Sequence, residues 1–174
     1  MKQLTMKHAF LHGLLLMLPF ITRAQSFQFQ RISIGAIDSI EKKQNSRLFK
    51  YGYPIGVSED YFPGRTKYKL AQPIVYRKEV KGFSYETSYY YSLPDSTLRL
   101  IEYWWEGDTN SEADFNELLE KNRKELAAYI KGKETYQPET DTKGASDIFE
   151  NDLIFGEQFS AKGMQRIRVK ISWK

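Results

Sequence analysis

With 174 residues, a net charge of +4 and no cysteine, the chain is long enough for one hydrophobic core and short for two, and it forms neither disulfides nor thiolate sites. Its two histidines, His8 and His12, both lie in a leader-like N-terminus. Without them the rest of the chain has no Ser-His or Cys-His triad, no zinc held by His or Cys and no haem held by His, so only all-oxygen calcium or magnesium sites stay open and no cofactor is expected.

The N-terminus has the order of a secretory signal. Lys2 and Lys7 precede an apolar run from Phe10 to Ile21, which ends at Thr22-Arg23-Ala24. The run is about a dozen residues and holds His12, Gly13 and Pro19, whereas a spanning helix needs roughly 20 apolar residues. We therefore expect residues 1–24 to be a cleaved signal peptide and residues 25–174 to be a single soluble domain, periplasmic or secreted, with no stable membrane anchor after cleavage. Removing the signal leaves 23 Lys and Arg against 22 Asp and Glu, which is no electrostatic footprint for nucleic acid.

Ser26 to Ile34 alternates apolar and polar residues and predicts a first strand, and Asp38 to Leu48 carries a weak helical pattern with Ile37, Ile40, Gln44 and Leu48 on one face. From Tyr51 to Pro73, glycines and prolines mix with aromatic rings. This reads as irregular chain with short strands at most, and Tyr51, Tyr53, Tyr61 and Phe62 are candidate ligand contacts on it.

The clearest unit is a hairpin: one strand from Gly82 to Tyr91, a Pro94-Asp95 turn, and a return strand from Thr97 to Glu106. With Ser92 opposite Thr97, uninterrupted pairing puts Phe83, Tyr85, Thr87, Tyr89, Tyr91, Leu98, Leu100 and Trp104 on a core face. The other face then holds Glu86, Tyr90, Arg99, Ile101, Tyr103 and Trp105, too apolar for water. Tyr90, Arg99, Tyr103 and Trp105 form a candidate binding patch there: a second core layer if a helix covers them, a recognition surface if none does.

Ser111 to about Lys131 predicts an amphipathic helix, with Phe115, Leu118, Leu119, Asn122, Leu126, Tyr129 and Ile130 on one side. Asn110 or Ser111 caps it, Glu112 and Asp114 suit its positive end, and Gly132 stops it. Lys133 to Ser146 reads as a polar loop, and the chain closes with a hairpin of Asp147 to Phe155 and Met164 to Trp173. The fold class is thus α+β, an antiparallel sheet of about five to six strands packed against one long amphipathic helix.

On the last strand Arg166, Arg168 and Lys170 point away from Ile167, Val169 and Ile171. They form either an anion-binding stripe or a charged face balanced by Glu150 and Asp152 on the preceding strand. Glu102 and Glu106 flank Trp104, but four strand residues span about 13 Å. That exceeds the separation of about 5 to 9.5 Å in glycosidase carboxylate pairs. Ser39-Ile40-Glu41-Lys42 matches a serine-lysine spacing without its companion motifs.

The sequence favours a non-enzymatic binding or interaction module of a bacterial-type cell envelope, an inhibitor or immunity-type protein among the options, with an envelope protein or a small ligand as partner. The alternatives are a carboxylate-based enzyme acting on an envelope glycan and a small-ligand carrier. A cleft with converging carboxylates would mark the enzyme, an uncovered aromatic face the interaction module, and an enclosed apolar cavity the carrier.

Overall fold

A computed structural model describes residues 27–108, 112–130, 136–141, 144–150, 154–161 and 164–173. The expected signal segment 1–24, the expected caps Asn110 and Ser111, and the expected stop Gly132 lie outside the described residues.

The chain is α+β with an antiparallel sheet. Helix α1 (Ile34–Lys43) leads to strand β1 (Arg47–Phe49), a short helix α2 (Arg65–Tyr68), β2 (Ile74–Val80), β3 (Phe83–Tyr91) and β4 (Leu98–Asp108). Helix α3 (Glu112–Ile130) then carries the chain to β5 (Tyr136–Asp141), β6 (Gly144–Glu150), β7 (Ile154–Ala161) and β8 (Met164–Ser172). The strand order is β1-β2-β3-β4-β8-β7-β6-β5, so two meanders meet where β8 pairs with β4.

Several local expectations change. Residues 27–33 are not a strand, because the backbone amide of Phe27 donates to the Glu125 carboxylate (2.6 Å) and that of Gln28 to the Tyr103 hydroxyl (2.9 Å) instead of to a sheet neighbour. The first helix starts earlier and ends at Lys43, so Leu48 falls in edge strand β1 and is more than half exposed. The supposed polar loop 133–146 contains β5 and the start of β6. A backbone ladder needs no apolar alternation, which is why periodicity missed it. The partner of β8 in the last hairpin is β7 rather than residues 147–155. Strand β2, which is not among the expected elements, is joined to β3 by Lys81 and Gly82, both at positive φ, the geometry of a two-residue hairpin turn that follows the sheet twist.

The inner face of the sheet carries the larger core. Tyr76, Tyr85, Tyr89, Ile101, Tyr103, Trp105, Ile167, Val169 and Ile171 pack with Ile37 of α1, with Phe115, Leu119 and Leu126 of α3, and with Phe27. Glu41 of α1 is buried among them and accepts a hydrogen bond from the Tyr89 hydroxyl. On the outer face Val57, Phe62, Tyr90 and Leu100 form a smaller cluster beneath the 51–72 segment. Where β4 passes Phe83 the sheet needs Gly107: a Cβ there would lie 2.4 Å from a ring carbon of that buried phenylalanine.

Candidate functional site

One bulge decides which residues share a surface. Ser92 and Thr97 are opposite, as expected, with the Ser92 amide donating to the Thr97 carbonyl at 2.9 Å. Tyr91 pairs with Leu98, but Tyr90 pairs with Leu100, so Arg99 is an extra residue in β4. Side chains alternate with a period of two, and one inserted residue therefore moves everything beyond it to the opposite face. Ile101, Tyr103 and Trp105 turn inward, opposite Tyr89, Thr87 and Tyr85, while Leu100, Glu102, Trp104 and Glu106 turn outward.

The expected patch of Tyr90, Arg99, Tyr103 and Trp105 consequently does not form. Tyr103 and Trp105 are each 2% exposed in the inner core, and Tyr90 is buried on the outer face. Arg99 lies outside with its guanidinium 4.2 Å from the Tyr68 ring and 2.8 Å from Asp95. Trp104, assigned to the core by uninterrupted pairing, stands on the outer face instead.

What the bulge assembles there is a polar, aromatic-walled cleft of about 410 Å³. Its floor is Ser84, Glu86 and Ser88 from β3 and Glu102, Trp104 and Glu106 from β4. Its walls are Tyr51, Tyr53 and Ile55 from the loop and Arg77 from β2. The candidate loop residues divide. Tyr51 and the largely exposed Tyr53 line the cleft, whereas Tyr61 and Phe62 anchor the segment that covers the outer face.

Each carboxylate has a different setting. Glu86 accepts three hydrogen bonds, from Arg77 Nε (2.6 Å), from the Tyr51 hydroxyl (2.7 Å) and from Ser88 Oγ (3.1 Å). Arg77 also donates to the Tyr51 oxygen at 2.6 Å and stacks 3.6 Å from the Phe49 ring, which fixes both walls. Burial pushes the Tyr51 hydroxyl up to about 12, with Glu86 adding to the effect. Glu106 is held by Arg166, at 2.6 Å from the terminal nitrogen and 2.9 Å from Nε, and by the Trp104 indole N–H at 3.3 Å. Glu102 accepts from the Tyr61 hydroxyl at 2.8 Å, and loss of solvation holds its carboxyl above the ordinary carboxylate range despite Tyr61 and Arg168.

The basic stripe of Arg166, Arg168 and Lys170 belongs to the same surface, because β8 pairs with β4 so that these residues face Glu106, Trp104 and Glu102 in turn. The strand beside β8 is β7, not β6, the strand that ends at Glu150, and Asp152 lies outside the described residues. Arg166 lies 4.7 Å from the Trp104 ring, Arg168 lies 4.9 Å from the Tyr61 ring, and Lys170 donates to the Tyr61 carbonyl at 2.8 Å. The stripe thus clamps the covering segment and the indole.

Sequence reading missed Arg77, Ser84 and Ser88 altogether and dismissed Glu102 with Glu106 as a pair on one strand. The signal that was present is the alternation Glu86-Ser88-Tyr90 on β3 against Glu102-Trp104-Glu106 on β4, which converges only once the bulge is known. Among the described residues no group of three His, Cys, Asp or Glu side chains has metal-binding geometry, and no helix is long and apolar enough to cross a membrane. Comparison of the chain with protein-family models, with curated proteins and with solved structures gives no match.

Proposed function

We propose that this is an exported, non-enzymatic binding module whose outer-face cleft takes a short, uncharged glycan of the cell envelope. The observation that carries this reading is the composition of the cleft: hydrogen-bonding floor groups between aromatic walls, the combination that grips a sugar by its hydroxyls and by the apolar faces of its rings. Three carboxylates against Arg77 in the lining favour a hydroxyl-rich neutral ligand over an acidic one. In this reading α3 is the long amphipathic cover of the inner face, the sheet is a rigid platform, and residues 25–174 act as one domain. An inhibitor or immunity-type role draws less support, because the aromatic surface it would have used is buried.

The second reading is a carboxylate-based glycan hydrolase. It is favoured by Glu102, a carboxyl whose pKa is raised by burial in a cleft that also contains an ion-paired Glu86, the division of environments that separates a general acid from its ionised partner.

Calorimetric titration of the full chain with N-acetylglucosamine tetramer, with polygalacturonate as the acidic comparison, tests both. Saturable binding of the neutral tetramer, weakened at least about tenfold in a Trp104→Ala or Tyr53→Ala variant, is the expected result, given about 1.4 kcal/mol per decade of affinity. Release of shorter sugars by the wild type, abolished in Glu102→Gln, would establish the hydrolase instead. Absence of binding to neutral glycans would overturn both.

A further inference from the structure

The inner side of the sheet carries a second, larger cleft that the glycan reading does not use. It occupies about 1220 Å³ between the end of α1, the first turns of α3 and the β1–β2 edge. Its apolar lining includes Ile40, Val80, Trp105 and Leu118. Its polar lining is strongly one-signed: Lys43, Arg47, Arg77, Lys78, Lys81 and Lys121 against Glu79 and Glu117.

Two of these cations are neutralised, Arg77 by Glu86 and Lys81 by Glu117, each at 2.6 Å. Lys43, Arg47 and Lys121 have no ion pair among the described residues, although Lys121 lies one helical turn from both Glu117 and Glu125. Lys78 is turned inward, with its ammonium 5.1 Å from the Tyr85 ring and donating to the Gln44 carbonyl at 3.2 Å. Loss of solvation lowers the pKa of this ammonium; the buried Glu41 carboxylate acts in the opposite direction, and repulsion from Lys121 adds to the lowering.

An independent feature points the same way. Asn122 lines the cleft and is 3% exposed, yet its amide nitrogen has no hydrogen-bond partner among the described residues. A buried amide donor without a partner costs about 1 to 3 kcal/mol, a cost removed when a ligand oxygen occupies the position. Donor, ammoniums and indole together describe the two halves of one ligand. We propose that this cleft is a second binding site, for an anion carried on an apolar body, with the head between Lys78, Lys121 and Asn122 and the body along Ile40, Leu118 and Trp105.

The test is calorimetric titration of the full chain with decyl phosphate below its micelle threshold, beside decyl maltoside and inorganic phosphate. Decyl phosphate should saturate at one site. A Lys78→Gln, Lys121→Gln variant should bind about tenfold or more weakly, since a charge-assisted hydrogen bond contributes roughly 1.5 to 3 kcal/mol. Lys121→Gln alone, at a half-exposed helix position, and Asn122→Leu should each weaken binding in the same direction if the double variant does not fold. Decyl maltoside and phosphate alone should bind more weakly than decyl phosphate, and N-acetylglucosamine tetramer should not compete. Equal binding of decyl maltoside would show that no anion is recognised. Equal binding of inorganic phosphate would show that the apolar lining contributes nothing. Either result, absence of saturation, or indifference to all three substitutions overturns the proposal.

Discussion

Glu102 and Asp95 lie on successive parts of the same hairpin and respond to folding in opposite ways. Glu102 loses solvation beneath Tyr61, and its carboxyl is held above the ordinary value of 4.5. Asp95 stays exposed at the β3–β4 turn and gains the Thr97 amide as a donor, with Arg99 beside it, which lowers its carboxyl from 3.8 to about 2. The signs follow from linkage. The favourable contribution of Asp95 is present above 3.8 and is lost as pH falls through about 2. That of Glu102 is present below 4.5 and is lost as pH rises through its folded value, because the ionised form is the one that burial disfavours. A Glu102→Gln variant, which cannot ionise, should therefore gain stability relative to the wild type between pH 4 and pH 8. Paired thermal melts at the two pH values read this directly, and a constant difference in Tm would contradict the buried setting of Glu102.

At the scale of elements, the bulge at Arg99 is the feature on which both faces depend. Its largely covered side chain makes an ion pair with the exposed Asp95 and a ring contact with Tyr68, interactions worth roughly 1 kcal/mol each. Its backbone is worth far more, because its carbonyl accepts from the Trp173 amide at 2.8 Å and its presence sets the facing of every later residue of β4. Replacing Arg99 with Ala should thus cost about 1 to 2 kcal/mol in denaturant unfolding. Deleting it should abolish the cooperative transition, since Ile101, Tyr103 and Trp105 would be turned to the outside and Glu102 into the core. A deletion variant that unfolds cooperatively near the wild-type midpoint would mean that the register is set elsewhere. The bulge also explains why the hairpin was read correctly in extent and wrongly in facing. Alternation identifies a strand, but β4 is apolar on both faces, with Leu100 and Trp104 outside and Ile101, Tyr103 and Trp105 inside, so nothing in its pattern marks where the phase changes.

For the molecule as a whole, the core is closed by pieces distant in sequence. Phe27 meets Tyr103 edge to face at 5.0 Å and Trp105 at 6.1 Å, and its backbone is tied to Glu125 of α3, while Phe29 stacks on Tyr129 at 3.9 Å. A cut after Ala24, if the N-terminus is processed as proposed, would leave Phe27 as the third residue of the mature chain, so processing and folding meet within a few residues. Phe27→Ala should cost about 3 to 5 kcal/mol, the range for buried phenylalanine truncation, and urea unfolding of the full chain measures it. A loss below about 1 kcal/mol would show that the segment only lies against the domain.

Composition and periodicity were enough to establish the α+β class, the antiparallel hairpin of β3 and β4, the buried side of α3 at Phe115, Leu119, Asn122 and Leu126, and the absence of His and Cys from residues 25–174. These are local properties, carried by residues near one another in the chain and by residue types that are either present or absent. Strand β2, the pairing of β8 with β4, and the convergence of Glu86, Glu102, Arg77 and Trp104 on one cleft were decided only by the tertiary structure. They depend on a single inserted residue and on contacts between segments as far apart as Tyr61 and Lys170, and an alternating pattern records neither a change of phase nor the identity of the neighbouring strand.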